Sequence, residues 1–284
     1  MKKLIQLFLI PFLFGIVACE SEVDIEDIDT CPSYSADVHL TLGNPSEASL
    51  TDNDNFLYVF DGYSLSYNCS KGTPNWVSWH LDSKWLGEIP RQNSFKAYDL
   101  YPSGCNTVVT KDYTGSGFDR GHNCPSADRT CSVIKNEETF LMLNIIPQAP
   151  DVNRGLWADI EDFTRELTDG GNEVYVIMGT YDEGGTGDNG YRKFWSDGEL
   201  TVPRYLWRVM IVLPEGSNDL KRLGEDTRAI AVWVENKNSA DQKPWHEYIT
   251  TIDEIESRTG YDLLSEASDG RQAIIQIKRD EGPF

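Results

Sequence analysis

Gly117-Phe118-Asp119-Arg120-Gly121-His122, followed by Asn144-x-x-Pro147-Gln148-x-x-x-x-Asn153-x-Gly155-x-Trp157-x-x-x-Glu161, is the stretch around which the rest of this chain is organised. It brings an imidazole, an amide, carboxylates and guanidinium groups into one short segment. Asn153, Trp157, Glu161 and Arg165 recur at every fourth position, which on a helix makes one slowly drifting stripe. Pro150 disfavours helix in the residue before it, so the helix is expected from Arg154 through Leu167, ending at Asp169-Gly170-Gly171. Outward from this segment lie short β-rich runs (Phe56–Phe60, Tyr63–Tyr67, Trp76–Leu81) and three strongly apolar ones (Glu173–Met178, Leu206–Leu213, Ala229–Val234). Thr251–Arg258 reads as a helix capped by Thr251 and stopped near Gly260. The class is α+β, with a central, mostly antiparallel sheet flanked by helices.

The residue types in the opening stretch suit hydrolysis of a phosphodiester. That reaction needs a base for water, positive charge on the phosphoryl oxygens and stabilisation of the leaving oxygen. His122 is the candidate base, with Asp119 placed to orient its ring or support the local turn. Asn153 offers a neutral oxygen to a hard cation and Glu161 a carboxylate, directly or through water. Magnesium suits so sparse a ligand set, with manganese as a substitute. Arg91, Arg120 and Arg165 are candidates to hold phosphate through planar hydrogen bonds. Each feature has a plainer explanation: Asp-Arg-Gly-His recurs by chance, Glu161 and Arg165 are spaced as a surface ion pair, and Trp157 alone is a core residue. Their joint order and spacing favour the site. His39, His80 and His246 have no comparable neighbourhood and read as structural or surface residues.

These residues resemble the DNA/RNA non-specific endonuclease family, sugar-non-specific nucleases with a ββα-metal active site. The resemblance rests on Asp119-Arg120-Gly121-His122 with Pro125-Ser126-Ala127-Asp128, and on Asn144-Ile-Ile-Pro147-Gln148 leading to Asn153, Gly155, Trp157 and Glu161. It implies a ββα-metal motif, His122 as general base, Asn153 as the direct magnesium ligand and Glu161 as the residue holding metal-bound water. Asn144 matches a residue that supports the site. Arg91 looks like the transition-state arginine, and Arg120 and Arg165 match phosphate-side arginines. The implied substrates are DNA and RNA. The chain departs from the family pattern in its acidic N-terminal segment, its low isoelectric point and Cys124 beside the motif.

The formal charge of −21 argues against a protein that grips nucleic acid by a broad basic face. The acids are concentrated at one end, however: residues 20–70 hold eleven of them and no Lys or Arg, whereas between Lys84 and Arg165 nine bases meet eleven acids. A polymer is therefore expected to be held transiently and turned over.

The N-terminus reads as an export signal, with Lys2 and Lys3 before an apolar run too short to span a bilayer. Ile16-Val17-Ala18-Cys19 resembles the lipobox of bacterial lipoproteins, which makes Cys19 the expected lipidated N-terminus. The expected organisation is a signal peptide over 1–18, an acidic tether over 19–37 and one catalytic domain over 38–284. The expected location is the bacterial cell envelope, lipid-anchored in the outer membrane, with its outer surface one of the two faces open to it. Of the other cysteines, Cys124 with Cys131 is the first expected disulfide and Cys69 with Cys105 the second. The rival readings are a phosphodiesterase for smaller substrates and a surface lipoprotein that stacks bases or glycans on its eight Trp and thirteen Tyr without cutting them.

Overall fold

The computed structural model describes residues 31–284. The expected signal peptide, Cys19 and most of the expected tether lie outside the described residues. Among the described residues no helix is long and apolar enough to cross a membrane.

The architecture is α+β. Strands β1 (Phe56–Val59), β2 (Ser64–Asn68), β3 (Thr73–Leu81), β4 (Asp119–His122), β5 (Ile145–Gln148), β6 (Asn172–Glu183), β7 (Pro203–Pro214), β8 (Arg228–Glu235) and β9 (Ile249–Thr250) carry it. Seven of them form one antiparallel sheet in the order β1-β2-β3-β6-β7-β8-β9. The remaining two, β4 and β5, pair only with each other. The expected runs all lie in this sheet, and the strongest apolar ones are its long central strands because both of their faces are covered.

One face packs Val77, Trp79, Val176, Met178 and Met210 against Leu156, Trp157 and Ile160 of the motif layer. The other packs Trp76, Tyr175, Ile177, Trp207 and Ile211 against Ile252, Ile255 and Ile275 from the C-terminal helices. Gly179 lets this second layer close: a Cβ there would lie 2.3 Å from Cζ2 of Trp207, its cross-strand partner. The helix Ile252–Thr259 begins as expected, Thr251 accepting the N–H of Glu254, and ends at Gly260 with φ 76°.

Three expectations are corrected. The helix after β5 starts at Pro150, not at Arg154. Proline is well placed in a first helical turn, where its missing N–H has no partner to lose, and only the preceding Ala149 stays outside the helix. Residues 31–37 belong to the folded domain and not to the tether. Cys31 is bridged to Cys131, and Tyr34 stacks edge-on to His80 at 5.2 Å while its hydroxyl donates to Asp82. Cys124 does not pair with Cys131. Asn144 clamps the Cys124 backbone, accepting its N–H at 2.9 Å and donating to its carbonyl at 2.8 Å, and the thiol is fully buried. Burial pushes that thiol up to about 12. Cys69 and Cys105 are bridged as expected.

The Cys31–Cys131 bridge closes a sequence separation of 100 residues, the long-loop case in which a cross-link most restricts the unfolded chain. Cys31→Ser is expected to lower unfolding free energy by about 2–4 kcal/mol. Urea denaturation under non-reducing conditions checks this, and an unchanged midpoint refutes it.

Candidate active site

The site is built on the β4–β5 hairpin and the helix that follows it. The register pairs Asp119 with Gln148, Gly121 with Ile146 and His122 with Ile145. Gly121 is needed for this packing, since a Cβ there would lie 2.2 Å from Gln148 Oε1. Asn144, fully buried, ties the hairpin base together. Besides clamping Cys124, it donates to Thr139 O at 2.8 Å, and its own carbonyl accepts from Asn123.

The helix opens with one wide turn, Val152–Leu156, in which the N–H of Trp157 reaches back to Val152 O, an i→i+5 bond. A π turn of this kind displaces side chains from the regular helical stripe. Asn153 lies in this turn, whereas Trp157 and Glu161 lie in the regular helix α1 (Trp157–Asp169) that follows. The turn is held by the loop after β8: Asn236 Oδ1 accepts from Ala149 N at 2.7 Å, Asn238 Oδ1 from Asp151 N at 3.1 Å and Asp241 Oδ1 from Leu156 N at 2.6 Å. Gly155 leaves room for this, since its Cβ would meet the same Asp241 oxygen at 2.3 Å.

Asp119 links strand to helix. It accepts from Asn153 Nδ2 at 2.9 Å and from Arg154 Nε and Nη2 at 2.8 and 2.7 Å. Its partner is therefore Asn153 and not the His122 ring. With Nδ2 engaged, the Asn153 Oδ1 oxygen is the atom left for a ligand.

His122 is only 7% exposed, edge-on to Phe140 at 4.9 Å and tilted against Phe95 at 5.3 Å. Its Nε2 is buried without a hydrogen-bond partner. Burial, reinforced by Arg91 and Arg120, lowers its pKa to about 3, so the ring is neutral near pH 7. The ring is thus neutral with an unpartnered nitrogen, but the burial that keeps it neutral also weakens it as a base, so acting as one would require a bound phosphate to offset Arg91 and Arg120 and raise its pKa.

A cleft of about 580 Å³ runs past this point, lined by residues including Arg91, Phe95, Arg120, Asn153 and Arg154. Arg91 donates to Ser126 Oγ at 2.8 Å and to Asn93 Oδ1 at 2.9 Å, over the Phe140 ring. The Arg120 guanidinium lies 4.1 Å from the Phe95 ring centroid. Both cations are thus braced by flat rings beside the cleft.

His122 itself, Glu161 and Arg165 are not among the residues lining this cleft; His122 lies buried behind its Phe95 and Arg120 wall. Arg165 bridges Asp128 at 2.8 Å and also pairs with Asp162. Glu161 is half-buried, and burial pushes its carboxyl up to about 7, opposed by Arg208 and Arg165. Among the described residues no cluster of three or more His, Cys, Asp or Glu side chains is gathered for a metal. A cation here would take few protein ligands and keep its water.

The sequence reading missed Phe95 and Phe140, which enclose the histidine, and Arg154, Asp241 and Arg208. Arg154 adjoins Asn153 and its charge was a usable signal; the others are distant in sequence. Of the three remaining histidines, two are structural, His80 bonding Glu173 at 3.0 Å and His39 donating to Asp61 O at 2.8 Å, while His246 is exposed at the surface, stacked on Phe284 at 5.2 Å.

The family model for DNA/RNA non-specific endonucleases matches residues 44–270. The chain is 44% identical over 250 residues to a nuclease of Nostoc sp., an alignment covering 87% of this chain and 88% of that protein. It is 30% identical over 207 residues to the mitochondrial nuclease EXOG of Danio rerio, covering 71% of this chain and 58% of the relative. In structure it superposes on an EndoG chain from an EndoG/EndoGI complex with a TM-score of 0.69 at 20% identity, covering 84% of this chain and 94% of the other. This chain belongs to the DNA/RNA non-specific endonuclease family.

Asp241→Ala removes the acceptor for the Leu156 N–H at the wide turn. A stranded buried donor costs about 1–3 kcal/mol. The variant is expected to lose that much stability by thermal denaturation and to show faster hydrogen exchange across residues 152–157. Unchanged exchange there would mean that Asp241 does not hold the turn.

Proposed function

We propose that this member of the family cleaves the phosphodiester backbone of DNA and RNA in the cleft lined by Arg91, Arg120 and Asn153, with His122 buried beside it. The reaction would use a hard divalent cation, magnesium with manganese as a substitute. The observation that carries the reading is the buried, neutral His122 with its unpartnered Nε2, next to a cleft bearing Arg91, Arg120 and Asn153. Asn153, whose amide nitrogen is held by Asp119, would offer its Oδ1 to the cation, and the Glu161 carboxylate on the following helix would support the cation's hydration. The bound cation supplies positive charge for the phosphoryl oxygens and the leaving oxygen. His122 takes the proton from the attacking water. Arg91 and Arg120 hold the phosphate, and Phe95 and Phe140 keep their guanidinium planes in place. Arg165, through Asp128, positions the Glu161 turn of the helix and does not itself reach for phosphate. Three arginines line this cleft with Asp119 as its single acid, and phosphate contacts of that kind carry no base information, which suits cleavage without sequence preference.

Export and anchoring through Cys19 complete the proposal: the protein is a lipid-anchored nuclease of the bacterial cell envelope. Lys2, Lys3, the apolar run and Ile16-Val17-Ala18-Cys19 support it. So do the two disulfides, which suit an oxidising compartment.

His122→Ala is expected to lower turnover on plasmid, single-stranded DNA and RNA by roughly two to four orders of magnitude with the fold intact. EDTA is expected to abolish wild-type cleavage of all three. Wild-type rates in the variant would remove His122 from the chemistry, and cleavage in EDTA would remove the cation. Cys19→Ser is expected to move the protein from the membrane to the soluble fraction; persistence in the membrane fraction counts against the lipid anchor.

A further inference from the structure

The segment Gly190-Tyr191-Arg192-Lys193-Phe194-Trp195 places two adjacent cations among three aromatic residues, which is unusual in a chain so acidic. It belongs to a small antiparallel hairpin, Gly185–Gly187 with Gly190–Arg192, continued by Phe194–Trp195. That hairpin is fastened to the wall of the cleft. Asp188 N donates to Gly117 O at 3.0 Å and Asn189 Nδ2 to Gly115 O at 3.0 Å, next to the cleft residues Thr114 and Phe118. Gly187 permits the approach, because a Cβ there would stand 2.1 Å from Gly117 O. At the other end, Ser196 Oγ donates to Asp112 Oδ1 at 3.0 Å, within the short helical turn that also lines the cleft.

This segment exposes Tyr191 (55%), the hydroxyl end of whose ring lies against Gly184, and Phe194 (47%), with exposed Arg192 and Lys193 between them. Among the described residues neither cation forms an ion pair; Arg192 only donates to the Tyr191 carbonyl at 3.3 Å. Beside them opens a cavity of about 540 Å³ lined by Arg192, Phe194, Trp195, Ser196, Asp197 and Gly198, with Asp197 its single acid. Rings alternating with free cations are the surface on which unpaired bases stack while the backbone is neutralised, irrespective of base identity.

We propose that the Tyr191–Trp195 hairpin extends the substrate groove and binds single-stranded nucleic acid running out of the cleft, Tyr191 and Phe194 stacking bases and Arg192 and Lys193 meeting phosphates. The occupant follows from charge complementarity and from continuity with the cleft, and the assignment rests on the nuclease reading. It gives the enzyme a preference for unpaired over duplex substrate, because bases within a duplex cannot stack on protein rings.

The test uses the full-length protein with a short fluorescein-labelled oligothymidine and a matched duplex, followed by anisotropy in EDTA across a salt series. Hydrolysis of bis-p-nitrophenyl phosphate is measured in parallel with magnesium. Tyr191→Ser with Phe194→Ser is expected to weaken single-strand binding about tenfold or more, with duplex binding and small-substrate hydrolysis unchanged. Arg192→Gln with Lys193→Gln is expected to reduce the salt slope by between one and two. Single-strand affinity and slope that stay at wild-type values in both variants overturn the assignment. Wild-type protein that binds the strand through the hairpin but cleaves nothing with magnesium would leave the assignment standing and overturn the catalytic reading instead.

Discussion

Asp119 accepts from the amide of Asn153 and from Nε and Nη2 of Arg154, and the geometry of the site follows from that junction between strand and helix. It forms because the β4–β5 register sets Asp119 opposite Gln148, just before the helix opens at Pro150. The wide turn then brings Asn153 back towards the strand. Three side chains from the loop after β8 hold that turn from behind, so the amide is positioned by the central sheet as well as by its own helix.

Burial decides the ionisation of the groups around this junction. His122 is enclosed by Phe95 and Phe140 and repelled by two guanidinium groups, so it stays neutral. Behind it, Asp128 accepts from Trp79 Nε1 at 2.9 Å and from Arg165 at 2.8 Å, while Arg208 projects from the sheet, fully buried, with Nε and Nη1 unpartnered. Removing one member of such a buried ionic group typically costs about 3–5 kcal/mol, because the survivor keeps an uncompensated charge. Arg165 therefore belongs to the support of the site, tied to Asp128 and Asp162, and not to its open surface.

The net charge of −21 is compatible with a polyanionic substrate because several cations are gathered at one cleft, Arg154 there being paired with Asp119. Arg91, Arg120 and Arg154 line one cleft, and Arg192 and Lys193 stand on a hairpin pinned to its wall. Most other cations are neutralised locally, as Arg228 is by Asp280 at 2.7 Å and Arg258 by Glu254 at 2.6 Å. Long-range attraction is weak in such a molecule, so binding depends on these few contacts.

Much of the architecture was legible from residue order alone. Apolar runs over Glu173–Met178, Leu206–Leu213 and Ala229–Val234 can be buried only as central strands, and Thr251 with Gly260 delimits a helix through local hydrogen bonding and φ preference. The order of His122, Asn144, Asn153 and Glu161 likewise followed one local unit, because those residues belong to consecutive elements of a single strand pair and helix. What the sequence did not disclose depends on contacts between residues far apart in the chain. Cys31 reaches Cys131 across 100 residues, Asp241 caps a turn 85 positions away, and Phe95 closes over His122 from a separate loop. The early start of the helix at Pro150 belongs to this group as well: local preference argued against helix before Arg154, and the acceptors on Asn236, Asn238 and Asp241 outweighed it. Local propensity and periodicity therefore determined the elements and their chemistry, whereas tertiary hydrogen bonds and burial decided which side chains point into the cleft and in what protonation state.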